Sequence, residues 1–207
     1  MIMKKAILGG SFNPIHNGHL MMARCAYEQF GLEDIVVMPN KTTYYKENRV
    51  FASDEHRLNM IRLAIEGKDY LSISDMEIKR GGVTHTIDTV REYKSIYPDI
   101  ELYFIVGGDS LEWIDRWVDA DELLDSMTIL SAVRGKTDIT RSKDIIKRIK
   151  NEHPRSHIEL LNMEHCAISS SDIREKIARG EDVKGMLPDS VYRYIKENNL
   201  YNGEVDS

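Results

Sequence analysis

The sequence predicts a doubly wound α/β fold, with a mainly parallel sheet, helices on both of its faces and a helical C-terminal segment. Three observations predict it. Short β-branched runs alternate with helical patterns, the signature of βαβ units. Helix starts and stops carry matching punctuation. After Cys166 the strand pattern ceases and two helical patterns follow.

The strand patterns cover residues 5–8, 34–38, 71–74, 101–106, 127–133 and 158–161. Each is a short apolar run that fits a buried parallel strand. Between them, apolar residues recur at helical spacing over 20–30, 54–65, 87–96, 120–124 and 142–149. Gly31 is placed to close the first helix. Ser53, ahead of Asp54-Glu55, is placed to cap the second. Pro98 follows the third pattern, and the residue before a proline disfavours helix. The tail contributes helices over 171–179 and 188–198, with Pro188 in a first turn where a missing N–H costs nothing. The run Lys143, Lys147, Arg148, Lys150 reads as a solvated helix face.

Bulk composition narrows the function. A chain of 207 residues fits one domain over residues 1–207, with the helical subregion at about 166–201. A net charge of −6 disfavours general polynucleotide binding, which needs a basic face. It leaves room for a local pocket for a small phosphorylated ligand. Cys25 and Cys166 form neither a C-x-x-C pair nor a zinc pattern, which suggests a reducing compartment. The first residues lack a signal-peptide core, and the strand after them is too short for a membrane span. The expectation is a cytoplasmic protein with no nucleic-acid or membrane partner. The oligomeric state, a homo-oligomer included, stays open.

In an open parallel sheet, ligands bind beyond the carboxyl ends of the strands, where the strand order reverses. Residues 9–19, 39–46, 107–109 and Arg134 fall at such ends. The first of these, Gly9-Gly10-Ser11-Phe12-Asn13-Pro14-Ile15-His16-Asn17-Gly18-His19, reads as a glycine turn entering a helix. A helix start offers unsatisfied N–H donors and a partial positive charge, which suit an anion. His16 and His19, three apart, share one helix face. Imidazole suits phosphate contact, because an imidazolium donates from both nitrogens and a phosphate favours that form. A partial metal site and a helix-capping role remain alternatives, although the acidic or cysteine partners of a zinc site are missing. The turn lacks the Gly-Lys-Ser/Thr ending of a phosphate loop and the G-x-G-x-x-G dinucleotide fingerprint. P-loop hydrolysis and nicotinamide-dependent redox chemistry therefore drop out.

Ser169-Ser170-Ser171-Asp172-Ile173-Arg174 opens a late helix. Serines there are helix caps, and with Arg174 one turn inside they also form a second anion site. Two anion sites suit a polyphosphate. Gly107-Gly108-Asp109-Ser110 ends a strand and brings a carboxylate that can accept from a ribose or a base. Trp113 and Trp117, four apart, are placed on one helical face, as core or as a platform for a planar ring. His56, His85, His153, His157 and His165 form no pattern.

The first segment, with its strand, resembles the signature of the H-x-G-H nucleotidylyltransferases, and Ile168 through Arg174 resembles that family's second signature. Four further stretches are similar to the bacterial nicotinate-nucleotide adenylyltransferases. They are His85-Thr86-Ile87-Asp88-Thr89, Gly107-Gly108-Asp109-Ser110-Leu111, Arg116-Trp117 with Glu122-Leu123-Leu124, and the tail from Leu187-Pro188-Asp189 to Leu200-Tyr201. The resemblance implies a Rossmann-like fold and transfer of AMP from ATP to nicotinic acid mononucleotide. The products would be nicotinic acid adenine dinucleotide and pyrophosphate, with no covalent enzyme intermediate. It implies that His16 and His19 stabilise the transferring and leaving phosphates. ATP would be bordered by Gly9, Gly10, Ser11, Phe12, Gly18, Gly107, Asp109, Ile168, Ser169, Ser170 and Arg174. The acceptor would meet Ser11, Lys46, Thr86, Trp117 and Arg134. Mg²⁺ would bridge ATP oxygens, with no dedicated metal ligands on the protein. Asn13 stands where the family usually has Asp, Thr43-Tyr44-Tyr45 where it has Pro-Pro-His, His85 where Tyr is common and Val118 where an aromatic residue or His is usual. Gly135 lacks the proline that often precedes it. Rival readings are a relative acting on nicotinamide mononucleotide or phosphopantetheine, and a non-catalytic ATP-binding sensor.

Overall fold

A computed structural model describes residues 2–41, 51–133, 136–163 and 166–202. Six strands form one sheet: β1 (Met3–Gly10), β2 (Asp34–Pro39), β3 (Leu71–Ile73), β4 (Ile100–Gly107), β5 (Thr128–Ala132) and β6 (His157–Leu161). Their order is β3-β2-β1-β4-β5-β6, and every pairing is parallel. The chain winds outward from β1, returns, and winds the other way from β4. The reversal between β1 and β4 opens a crevice at their carboxyl ends, as expected for a doubly wound sheet.

The helices are α1 (Asn17–Phe30), α2 (Asp54–Ile65), α3 (Met76–Arg80), α4 (Thr86–Ile96), α5 (Gly108–Leu111), α6 (Ala120–Ser126), α7 (Lys136–Glu152), α8 (Ser170–Ala178) and α9 (Asp189–Glu197). A 3-10 turn spans Ile114–Arg116. Strand alternation sorts the core into two layers. Ala6, Leu8, Ile35, Val37, Ile105 and Leu130 face a first layer with α1, α2, α8 and α9, which contribute Ala23, Ile61, Ile173 and Val191. Ile7, Val36, Met38, Phe104, Val106 and Ile129 face a second layer with α4 to α7, which contribute Ile87, Leu111, Leu123 and Ile149. Helices thus cover both faces. Among the described residues no helix is long and apolar enough to cross a membrane.

The expected strands and helices are present, with adjusted ends. Gly31 closes α1 with its N–H on the Tyr27 carbonyl, and Ser53 Oγ accepts the His56 N–H at 3.2 Å. Pro188 immediately precedes α9 rather than lying inside it. α7 begins six residues before the expected start at 142. Three short pieces were not anticipated: α3, α5 and the 3-10 turn. None is long enough to display a helical period. The 3-10 turn corrects the placement of the tryptophans. Trp113 precedes it and Trp117 follows it in extended backbone, so they share no helical face. Trp113 is 51% exposed, with Arg116 lying over its ring, whereas Trp117 meets Phe104 edge-on at 6.5 Å. Arg148 is also more than a solvated cation: it pairs at 2.6 Å with Asp115, whose side chain is 4% exposed.

Candidate active site

A cleft of about 240 Å³ opens at the reversal point. It is bordered by Leu8 and Gly9 of β1, Ile105 and Gly107 of β4, Ala132 of β5, the starts of α1 and α8, and Met163, Cys166 and Ile168 between β6 and α8. Leu8, Ile105 and Ala132 belong to the first layer, so the cleft opens over that face. Two helix starts converge on it. In α1 the His19 and Leu20 amides bond the His16 carbonyl, and the Asn17 amide bonds the Met186 carbonyl. The Gly18 amide has no partner within the helix ladder. In α8, Ser169 Oγ accepts the Asp172 N–H at 3.1 Å, and the Ser170 and Ser171 amides precede the first helical bond. Both ends turn N–H dipoles toward one volume, the condition for holding a polyanion.

The two histidines are caps and cleft residues at once. His16 occupies the N-cap of α1, and His19 stands three residues in. Their rings stack at 3.7 Å, and Phe12 meets the His19 ring edge-on from below at 5.0 Å. The His16 backbone N–H donates to His19 Nδ1 at 3.2 Å. That bond requires a lone pair on Nδ1, so the His19 proton sits on Nε2. Donation from both nitrogens of an imidazolium is thereby ruled out for His19 in this arrangement. Gly18 is dictated by the same packing: a Cβ there would lie 3.0 Å from the His16 ring and 3.3 Å from Cys166 Sγ. Gly9 is likewise fixed by contact, since a Cβ would meet the Phe104 ring at 3.0 Å.

The turn between β1 and α1 is held from outside by side chains drawn from distant elements. Arg57 of α2, 0% exposed, donates to the Ser11 carbonyl at 2.7 Å and the Asn40 carbonyl at 2.8 Å, and pairs with Asp54 at 2.6 Å. Partial burial pushes the Asp54 carboxyl up, but hydrogen bonds from Lys41 and Arg57 outweigh it and hold it below its usual range. Asn13 is buried, and its Oδ1 accepts from the Ala52 N–H at 3.0 Å and the Tyr201 hydroxyl at 2.7 Å. Burial pushes the Tyr201 hydroxyl far above its usual value, so it stays a donor. Arg174 donates to the Asn13 carbonyl at 2.7 Å, Ser170 Oγ to the Pro14 carbonyl at 2.9 Å, and Asn17 Nδ2 to the Gly185 carbonyl at 2.8 Å. Arg57 is the residue that sequence reasoning missed. Its signal was position: it falls in register with the buried Met60, Ile61 and Ala64 on the core face of α2.

The sequence-derived residues divide into groups. Gly9, His16, Gly18, His19, Gly107, Ile168, Ser169 and Ser170 line the cleft together. Gly10, Ser11 and Phe12 lie in the turn beside it, with the Phe12 ring buried and packed against Gly10. Asp109 lines a separate hollow of about 80 Å³ with Glu112, Ala132 and Arg141, which adjoins the cleft at Ala132. Arg174 reaches the Asn13 carbonyl and Ser171 Oγ rather than the cleft lining. Thr86 begins α4, and Trp117 packs on the second layer, so both lie across the sheet edge from the cleft. Lys46, Arg134, Gly135, His165 and Thr43-Tyr44-Tyr45 fall outside the described residues.

Known proteins match this chain over most of its length. The sequence profile of the cytidylyltransferase-like family matches residues 7–176, which takes in the starts of both α1 and α8. A protein of Lachnoclostridium phytofermentans, named a probable nicotinate-nucleotide adenylyltransferase, is 39% identical over 198 residues, covering 96% of this chain and 98% of that one. A Listeria monocytogenes protein of the same name is 38% identical over 198 residues, covering 96% and 97%. The chain belongs to the nicotinate-nucleotide adenylyltransferase family. Membership makes it a nucleotidyltransferase by class. The Plasmodium falciparum nicotinic acid mononucleotide adenylyltransferase, solved in complex with NaAD, superposes with a TM-score of 0.80 at 24% identity, covering 99% of this chain and 100% of that one. At that identity the likeness concerns the fold, which for this adenylyltransferase is Rossmann-like.

Proposed function

We propose that this chain transfers the adenylyl group of ATP to nicotinic acid mononucleotide, forming nicotinic acid adenine dinucleotide and pyrophosphate in NAD biosynthesis. The observation that carries the reading is the cleft itself, where two helix N-termini and a stacked histidine pair converge at the sheet's reversal point. The names of the relatives support the acceptor. A phosphate oxygen of the mononucleotide attacks the α-phosphorus of ATP in line. One P–O bond forms as the bond to the β-phosphate oxygen breaks, and pyrophosphate departs. Such chemistry needs positioning and charge stabilisation more than covalent participation.

The roles follow from placement. His19 donates from Nε2, in the tautomer that the His16 N–H imposes. His16, stacked on it, faces the same phosphates. The Ser169 and Ser170 helix start takes the β- and γ-phosphates, and Arg174 supports it by holding the Asn13 carbonyl. Gly107, Ile168 and Asp109 border the adenosine. Asp109 does so from the adjoining hollow. A Cβ on Gly107 would meet nothing within 4 Å, which leaves room at that edge. Ser11 and the backbone of residues 9–12 border both substrates. Thr86 offers its amide to the pyridine carboxylate and Trp117 its indole to the ring; Lys46 and Arg134, outside the described residues, are assigned to the acceptor by the family resemblance alone.

Magnesium fits as part of the substrate. The polar side chains lining the cleft are imidazoles and hydroxyls, and among the described residues no group of three or more His, Cys, Asp or Glu could hold a metal. An ion carried on the triphosphate needs no such cage, and it neutralises phosphate charge. The test is pyrophosphate release by purified protein with ATP, Mg²⁺ and either nicotinic acid mononucleotide or its amide analogue. The acid should react faster. Equal rates remove the acid preference, and no release with either removes the reaction.

A further inference from the structure

α4 begins on the same rim as the cleft, because each crossover helix enters at the carboxyl end of one strand and returns to the start of the next. Its first hydrogen bonds are from the Asp88 and Thr89 amides to the His85 carbonyl, at 3.1 and 3.4 Å. The Thr86 and Ile87 amides precede that ladder and point out of the helix start. Their usefulness to a ligand depends on where α4 sits along its axis. Its inner residues Ile87, Val90 and Tyr93 pack in the second layer, but apolar burial is non-directional and resists axial sliding weakly.

Directional bonds add that constraint: Arg91 and Lys94 tie the later turns of α4 to Asp119, Glu122 and the Ser126 carbonyl, and a buried set lies nearer its start. Thr89, 0% exposed, donates its hydroxyl to Glu77 Oε1 at 2.6 Å and accepts from Arg80 Nη2 at 2.7 Å. Both partners stand on α3, and Arg80 also pairs with Glu92 at 3.4 Å. Gly81 and Gly82, both left-handed with φ of 68°, turn the chain back so that α3 and α4 meet. Burial raises the Glu77 carboxyl above its usual value, while the Thr89 hydroxyl and Arg80 favour its charged form. α3 is in turn tied to the sheet end, through the Met76 N–H on Ser74 Oγ and the Ser74 N–H on the Val37 carbonyl. The bonds run from β2 through α3 to a residue one turn inside α4.

We propose that Glu77, Arg80 and Thr89 are positioning residues that set the start of α4, and with it the preference for a carboxylate over a carboxamide on the acceptor ring. This rests on the reading that the acceptor is a pyridine mononucleotide held at Thr86. Two fixed N–H donors suit a carboxylate, which accepts at both oxygens. A carboxamide brings an NH₂ against one of them and leaves two donors facing each other. The discrimination therefore needs the donors fixed in place, and misplacement near an ångström erases much of such an advantage.

The test compares Thr89→Val, which keeps the branched shape and removes both bonds, with Thr89→Ser, which restores the hydroxyl. The kinetics are measured with both mononucleotides and with ATP. For Thr89→Val the KM for nicotinic acid mononucleotide rises about tenfold, and the acid-to-amide ratio of kcat/KM falls by about the same factor. The KM for ATP and kcat stay within about twofold, and Thr89→Ser recovers the wild-type ratio. Arg80→Leu, at a more exposed partner, shifts the ratio the same way by about threefold and serves if Thr89→Val fails to fold. An unchanged ratio in a folded Thr89→Val or Arg80→Leu overturns the inference alone. So does a fall in every constant together that Thr89→Ser does not reverse. A wild type that releases no pyrophosphate with either mononucleotide overturns the functional reading, and this inference with it.

Discussion

On the first-layer side of the sheet, α1 and α8 bring phosphate donors to the cleft through motifs a few residues long: His16 to His19, and Ser169 to Arg174. On the second-layer side, Glu77 and Arg80 of the five-residue α3 bond Thr89 of α4, and Phe104 of β4 meets Trp117 edge-on. A phosphate asks only for charge and N–H donors, which any helix start provides. Telling a carboxylate from an amide on a flat ring asks for fixed distances, and those come from tertiary packing. In the proposed reading, the shared chemistry is carried by local sequence, and the substrate choice by the way separate elements are pinned together.

Three substitutions test this division. The largest effect belongs to Arg57→Met, which strikes both sides because Arg57 holds the turn between them. It leaves the half-buried Ser11 and Asn40 carbonyls without their donor and should cost about 2–4 kcal/mol of stability. Thermal denaturation should read a Tm lower by about 5–15 °C. The KM values for ATP and for the acceptor should rise together. A Tm within about 2 °C of wild type would make Arg57 a bystander.

His19→Ala should lower kcat by at least about tenfold, and toward a hundredfold, with either mononucleotide. The loss is the same for acid and amide because the contact is to phosphate. His19→Gln, which keeps a side-chain N–H donor, should recover part of it. A loss that depended on the acceptor would blur the two sides. The smallest effect is expected from Trp117→Ala, through the contribution of an aromatic platform. The acceptor KM should rise about three- to tenfold while the ATP KM stays put. A matching rise for ATP would show that the indole serves the cleft as a whole.

The same division explains what the sequence made legible. Strands were readable because both layers demand apolar residues at alternate positions, as in Ile7 and Leu8 of β1. Helix starts were readable because caps are local chemistry: Ser53 and Ser169 cap as expected. α3, α5 and the 3-10 turn were not, since three to five residues show no period and their conformation answers to packing. Hence the tryptophans were misplaced onto one helical face. Arg174 was read as a phosphate ligand from its place in the motif; the motif could not show that its guanidinium also bonds the Asn13 carbonyl, a partner 161 positions away in the chain. Asp109 was placed on the correct rim, but whether it faced the cleft or the hollow beside it depended on the turn of α5.

The bonds from Asn13, Pro14 and Asn17 to Tyr201, Ser170 and Gly185 have a consequence for biosynthesis. The segment that carries both histidines leaves the ribosome well before these partners, which lie 156 to 188 positions further along the chain. A nascent chain that has reached β6 already holds the six described strands and Arg57, but not Ser170, Arg174, Gly185 and Tyr201. The pinning of the turn is therefore completed late, when the segment after β6 folds back onto it. Until then the growing polypeptide has the sheet but lacks α8, the second helix start that borders the cleft.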